Sequence, residues 1–201
     1  MRKSKYCLDF TRSAFLVLMM ALALLIAGLG IHPESSSGAS AIPGYALKVA
    51  DGKAGKGYFW QVWLFGKPAL GHCWGTKVGE VGASDEAVNC GFEVPERPVQ
   101  LAARGNFRAG GTLNSMLFFL TRRNVAVIRV VVQRPSGLRE PLFIATQPVD
   151  RESARDAHMR PSFGYGATVV DGRVQCIRGI LAYDQARRRV GGETPSGCGS
   201  R

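Results

Sequence analysis

The sequence of 201 residues lacks the residue patterns that identify most enzymes. It has three histidines, and it has no Cys-x-x-Cys or His-x-x-x-His spacing that would hold zinc. It also lacks a glycine-rich phosphate loop and a Gly-x-Ser-x-Gly nucleophile turn. No catalytic activity, metal or cofactor can therefore be assigned from a motif, and none is expected.

Charged residues are scarce as well, at 20%, whereas 46% of the residues are hydrophobic. A chain of this composition is not disordered and should form a real core. Its length suits one domain of ordinary size behind a targeting segment and excludes two large domains.

One long hydrophobic run lies near the N-terminus. Residues 1–13 form a short basic segment, and residues 14–31 (AFLVLMMALALLIAGLGI) contain no charged or strongly polar group. Such a run can cross a bilayer, and the basic residues before it keep that side in the cytoplasm. The sequence therefore predicts that the chain beyond Ile31 is exported.

The linker of residues 32–44 leaves two outcomes open. Ala39-Ser40-Ala41 fits the small-x-small pattern that signal peptidase reads, which predicts cleavage after Ala41 and secretion. The run from Ala14 to Ile31 is longer than a usual signal-peptide core, and it ends about ten residues before that site, which instead predicts a permanent membrane anchor. In either case residues 45–201 form an extracytoplasmic domain.

The exported region is basic. Four of the 26 Lys and Arg and two of the 15 Asp and Glu precede Ile42, which leaves 22 against 13, a net charge of +9. This excess favours attraction to acidic lipid headgroups or cell-wall polyanions. Export argues against nucleic acid as a partner.

Four cysteines follow the hydrophobic run, an even number in a compartment that permits oxidation. Three pairings are open, and we expect the local one, Cys73 with Cys90 and Cys176 with Cys198, because each pair brackets a short stretch of strand and turn. The second bridge would tie down the Gly-rich C-terminal tail.

The exported region is predicted to be all-β. Short apolar runs alternate with turn residues about every dozen positions, which indicates an antiparallel β-sandwich or barrel-like domain behind an N-terminal transmembrane or signal helix. The expected strands are 45–50, 58–65, 69–78, 88–92, 113–121, 125–133, 141–147, 167–170, 173–183 and 188–190. Residues 150–160 hold a short helix or a loop.

Asp171-Gly172 is the sharpest hairpin signal, because this pair suits the positive φ angles of a type I′ turn. It predicts that residues 167–170 pair with residues 173–183, with Val170 opposite Arg173. Cys176 would then lie inside a strand.

The two histidines of the exported region, His72 and His158, are the candidates for a secreted hydrolase that would use nearby carboxylates. His72 adjoins Cys73, but neighbours on a strand point to opposite faces and share a proton poorly. Asp150, Glu152, Asp156 and His158 could offer ligands to a cation. The arginines at 151, 155 and 160 compete for those carboxylates, so a solvated, ion-paired segment is favoured.

Two basic clusters, Arg122-Arg123 and Arg187-Arg188-Arg189, adjoin predicted turns and are candidates for anion binding or for edge protection. Trp63 is the aromatic residue to test for exposure, since it could belong to a ligand groove or to the core. Gly79 to Asp85 is a candidate protruding loop for a third function, protease inhibition by a disulfide-stapled scaffold.

Cys90-Gly91-Phe92, the strand Asn124 to Val132 and the ending Ala182-Tyr183-Asp184 before a basic turn resemble features of uncharacterised exported or membrane-anchored proteins of high-GC actinobacteria. The similarity spans about residues 45 to 190. It implies an extracytoplasmic, β-rich protein and carries no activity. The leading hypothesis is a non-enzymatic module that binds an anionic envelope polymer or a protein partner through a basic face.

Overall fold

A computed structural model describes residues 40–80, 82–160, 162–195 and Cys198. The expected helix at residues 14–31 and Ala39 lie outside these residues. The strands are β1 Leu47–Lys53, β2 Tyr58–Lys67, β3 Gly71–Glu80, β4 Ala83–Phe92, β5 Val99–Ala109, β6 Thr112–Arg122, β7 Val127–Gln133, β8 Arg139–Ala145, β9 Gln147–Pro148, β10 Phe163–Asp171, β11 Cys176–Tyr183 and β12 Arg189–Glu193, and the helix is α1 Arg151–Asp156. Over the described ranges, no helix combines the length and apolar character that a bilayer crossing requires.

The strands form three antiparallel four-stranded sheets, which confirms the all-β prediction. The first sheet has the order β1-β2-β3-β4, the middle sheet β5-β6-β10-β9 and the third sheet β12-β11-β7-β8. None of these sheets closes on itself, so the barrel-like alternative is wrong. Strand β5 was not predicted, because its sequence (VQLAARGNFRA) mixes small, polar and charged residues.

The middle sheet separates two hydrophobic cores. Residues 114–121 of β6 are all buried, on both faces of the strand. Met116, Phe118 and Leu120 join the core that includes Val62 and Leu64 of the first sheet. Leu117 and Phe119 point the opposite way, into the core with β7 and β11 of the third sheet, because successive side chains alternate across a strand. The continuous apolar sequence of β6 is thus the signature of a strand buried on both faces.

The prediction of a hairpin at Asp171-Gly172 is wrong. Strand β10 pairs with β6, with Val170 opposite Ser115, whereas β11 pairs with β7, with Cys176 opposite Gln133. The connection between them crosses from the middle sheet to the third sheet. The buried Ser115 hydroxyl fixes this crossing, since it lies 2.9 Å from the carbonyl oxygen of Gly172 and accepts the N–H of Val174 at 2.8 Å. Cys176 does begin a strand, as expected.

Both expected disulfides are present, Cys73–Cys90 and Cys176–Cys198. Cys73 and Cys90 are direct cross-strand partners in β3 and β4. Their bridge lies in a third, smaller cluster on the outer face of the first sheet, together with Ile42 and Phe65. Trp63 packs against this cluster and is half-buried, so it serves the core rather than an open aromatic groove.

Candidate functional site

Five connecting segments meet at one end of the three sheets, which we call the groove end. They are residues 67–71, 93–98, 122–126, 157–160 and 184–189. Backbone hydrogen bonds join three pairs of neighbouring chain segments: Gly66 N to Ala157 O at 2.7 Å, Arg122 N to Pro98 O at 3.0 Å, and Ala126 N to Tyr183 O at 2.8 Å. One groove is lined by residues of 67–71, 93–98 and 157–160, which brings the first pair beside the others. Segments far apart in sequence therefore form one surface.

A groove of about 1010 Å³ opens at this end. Its lining combines His72 and His158 with residues from three connecting segments, including Lys67, Leu70, Glu93, Glu96 and Arg160. The sequence does not predict this groove or the presence of both His72 and His158 in its lining, because only the tertiary fold brings these two positions to the same groove.

The end of α1 is held against β2 by close backbone contacts. A Cβ atom on Gly66 would lie 2.0 Å from the carbonyl oxygen of His158, so this position requires glycine. His158 itself has a φ of 57°, in the left-handed region that terminates helices. Its ring meets the Tyr45 ring at right angles with centroids 4.6 Å apart, and the Tyr45 hydroxyl donates to Gly66 O at 3.0 Å.

His72 forms part of the groove wall. Burial lowers the pKa of its imidazole, a hydrogen bond to the Phe92 carbonyl opposes that shift, and the Arg160 charge lowers the pKa further. Its Nε2 accepts the backbone N–H of Arg160 at 3.3 Å. The ring stacks on Phe92 at 5.4 Å and meets Phe163 edge-on at 5.7 Å. A neutral imidazole with both nitrogens engaged is suited to joining β3 to residue 160, and poorly suited to acid–base catalysis.

His158 is exposed in the groove, so it is the histidine open to a ligand. The ion pairs within 4 Å among the described residues are Lys48–Asp51, Lys77–Glu86, Arg134–Glu140 and Asp184–Arg188. Neither histidine takes part in them. A hydrolase built on His158 would therefore have to recruit Glu93, Glu96 or Ser162 of the groove on substrate binding.

The acidic segment around α1 is not assembled as a metal site. Asp150 caps the helix, with its carboxylate accepting Ser153 N at 2.8 Å, and this hydrogen bond lowers its pKa. Over the described ranges, no group of three or more His, Cys, Asp and Glu is placed to hold a metal ion. The ion pairs expected here with the arginines at 151, 155 and 160 are not among those within 4 Å either.

The two basic clusters are brought together by the third sheet. Arg122 ends β6 and Arg123 follows it in the connection to β7. Arg187 and Arg188 lie in the turn before β12, and Arg189 begins that strand; all five arginines are exposed. Arg188 pairs with Asp184 at 2.8 Å, and the Arg188 N–H lowers the pKa of that carboxyl. Arg122 donates to the Glu96 carbonyl.

Three further cations, Lys67, Arg97 and Arg160, belong to the same end and were missed as site residues. The five segments together carry eight basic residues and three acidic ones. This local excess of five accounts for over half of the net charge of +9 that residues 42–201 carry.

The described residues of the candidate inhibitor loop, Gly79 to Asp85, lie mostly in two paired strands. Glu80 ends β3 and Ala83 begins β4, and these two residues lie opposite each other in the sheet. The glycines there permit the turn instead of making a long loop.

No protein-family model, no curated protein and no solved structure matches this chain. The resemblance to exported actinobacterial proteins stays a prediction, and the function has to be inferred from the groove end itself.

Proposed function

We propose that this protein is a non-enzymatic, extracytoplasmic binding module whose groove end binds an anionic component of the cell envelope. One observation carries the proposal: two basic clusters more than sixty residues apart converge on one exposed end, beside a groove edged by Lys67 and Arg160. Arginine suits this role, since its planar guanidinium group matches phosphate and carboxylate geometry.

The two disulfides support the extracytoplasmic half of the proposal, since such bridges persist in oxidising compartments. The Cys73–Cys90 bridge also ties β3 to β4 next to His72 and Gly91 of the groove, which limits the ordering that ligand binding requires there. Secreted and membrane-anchored forms would present the same surface.

Binding is tested by retention of the exported protein on three supports across a salt series. Phosphatidylglycerol vesicles, neutral phosphatidylcholine vesicles and purified cell wall separate a lipid headgroup from a wall polymer. We expect salt-sensitive retention on one anionic support and none on neutral vesicles. Equal retention on all three, or none, would remove the proposal.

Whether the groove end is the binding surface is tested with two triple variants that remove the same amount of charge from opposite ends of the molecule. Replacing Arg122, Arg187 and Arg189 by Gln should weaken binding about 100-fold, since each basic residue near an anionic surface contributes about 1 kcal/mol. The control replaces Lys53, Lys56 and Arg173, three exposed cations at the opposite end. Equal losses in the two triple variants would mean that net charge alone attracts the ligand.

A secreted hydrolase is the second candidate, because both histidines line one groove. The engaged nitrogens of His72 leave His158 as its base. Screening the exported protein against ester, peptide and glycoside substrates tests it, and an activity that His158→Gln abolishes without loss of folding would favour the enzyme over the binding module.

A further inference from the structure

Residues 40–44, the last part of the expected linker, are part of the folded domain. Ile42 is 8% exposed and lies across the outer face of the first sheet. A Cβ atom on Gly75 would come within 2.8 Å of the Ile42 side chain, so glycine at this position admits the segment. Ala46 N donates to Pro43 O at 2.9 Å and closes a turn that leads into β1.

Ser40 and Ala41, which precede Ile42, are bound by one carboxylate. Glu86 Oε2 accepts the Ser40 hydroxyl at 2.8 Å and the Ala41 backbone N–H at 3.1 Å. The other carboxylate oxygen of Glu86 accepts Lys77 Nζ at 3.0 Å. Burial raises the pKa of Glu86, but the hydrogen bonds from Ser40 and Lys77 outweigh burial, and the net pKa is lowered. The ionised carboxylate is thus matched to donors on both oxygens.

Cleavage after Ala41 would undo this arrangement. It would remove both donors to Glu86 Oε2 and leave a half-buried carboxylate oxygen without partners, which is costly. It would also place a charged ammonium group on Ile42, whose side chain is buried and whose N–H would lose the Ser40 hydroxyl at 3.3 Å.

A second small-x-small sequence, Ser37-Gly38-Ala39, ends two residues earlier. Its last residue, Ala39, lies eight residues after Ile31, nearer the hydrophobic run than Ala41 does. Cleavage after Ala39 keeps Ser40 and Ala41, and it adds a positive charge to the residue whose hydroxyl already contacts Glu86.

We propose that export ends with hydrolysis of the Ala39–Ser40 peptide bond, and that the new Ser40 ammonium group is held beside the Glu86 carboxylate. Water adds to the Ala39 carbonyl carbon and the C–N bond breaks. Ala39 then ends in a carboxylate, while the Ser40 amine takes up the proton. The catalyst is a membrane-bound signal peptidase, and the folded domain supplies the receptor for the new terminus.

The bond that is cut is identified by expressing the full chain in an exporting bacterial host and determining the N-terminal peptide by mass spectrometry. We expect the exported protein to begin at Ser40. A protein that begins at Ile42, or an uncleaved chain, would overturn the proposal.

Two variants distinguish the neighbouring bonds. Ser37→Leu puts a large side chain three positions before the Ala39–Ser40 bond and should reduce processing at least tenfold. Ala41→Leu puts the same side chain directly before the Ala41–Ile42 bond, at an exposed position, and should leave the Ser40 terminus in place. The reverse pattern would show that the later bond is used.

Binding of the new Ser40 ammonium group by Glu86 is tested separately, by titrating the α-amino group. We expect the α-amino group of the exported protein to titrate above the usual value of about 7.7–8.0, because the carboxylate favours its charged form. Glu86→Gln should return it to that range, whereas Lys77→Gln, which keeps the carboxylate, should not. An α-amino group that titrates alike in all three proteins would refute the receptor.

Discussion

The middle sheet and the groove end are continuous along β6, yet they use side chains in opposite ways. Residues 114–121 bury both faces between two cores, and the next residue, Arg122, is exposed. Apolar side chains fill the space between the sheets. The groove end instead carries cations, two histidines and a left-handed backbone conformation at His158. Stability should therefore depend on the layers, and binding on the end.

The strongest test of this difference is a cavity in the core between two of the sheets. Phe118→Ala removes a fully buried ring from the core between the first and middle sheets, and should lower the free energy of unfolding by about 3–5 kcal/mol. Phe143→Ala is the control, since that ring is 69% exposed, and it should change stability by less than about 0.5 kcal/mol. Urea denaturation measures both, and similar losses would mean that the layers do not hold the stability.

The next largest effect should come from the bridge in the first sheet. Replacing Cys73 and Cys90 by Ala should cost about 3 kcal/mol in the chain-entropy model, because the bridge constrains the unfolded chain across a separation of 17 residues. Removing Cys176–Cys198 should cost less, since it releases the tail in the folded state as well as in the unfolded one. Thermal melting with intact-mass confirmation of the bridges compares the two, and a larger loss from the tail bridge would contradict this reasoning.

Local pairing was predictable from the sequence, whereas pairing between distant segments was not. The hairpin of β2 and β3 and that of β7 and β8 follow from alternating apolar residues on either side of a short turn. Asp171-Gly172 carries the same turn chemistry, but it joins two sheets. The Ser115 hydroxyl decides its course from 57 residues away in the chain, and no local pattern contains that contact.

The candidate site was also predictable only in part. The basic clusters were visible as charge runs, and both lie at the groove end. The groove could not be predicted from the sequence, because it depends on a contact between Gly66 and His158, which are more than ninety residues apart. The two backbones can approach this closely only because glycine has no Cβ atom. A lone glycine at the end of an apolar strand was the one available signal, and it also fits an ordinary turn.

Gly66 offers a test of the groove end itself. Gly66→Ala should push the end of α1 away from β2, at a cost of about 1–3 kcal/mol, because the new Cβ would overlap the His158 carbonyl. Gly105→Ala is the control, since a Cβ there meets nothing within 4 Å. Hydrogen exchange should show faster opening of residues 151–160 only in Gly66→Ala, and unchanged exchange would mean that the groove wall does not depend on this contact.

The smallest expected effect concerns pH and His72. The pKa of His72 is lowered in the folded protein, first by burial, so the unfolded chain takes up a proton at about pH 6.5 before the folded chain does. Stability contributed by neutral His72 is therefore present above pH 6.5 and is lost as the pH falls below it toward the folded pKa. His72→Gln should flatten this decline between pH 7 and 5, whereas His158→Gln should retain it, because the exposed His158 ring does not join β3 to residue 160. Urea midpoints across that pH range measure the difference, and a decline that persists in His72→Gln would assign the pH dependence to groups outside the groove wall.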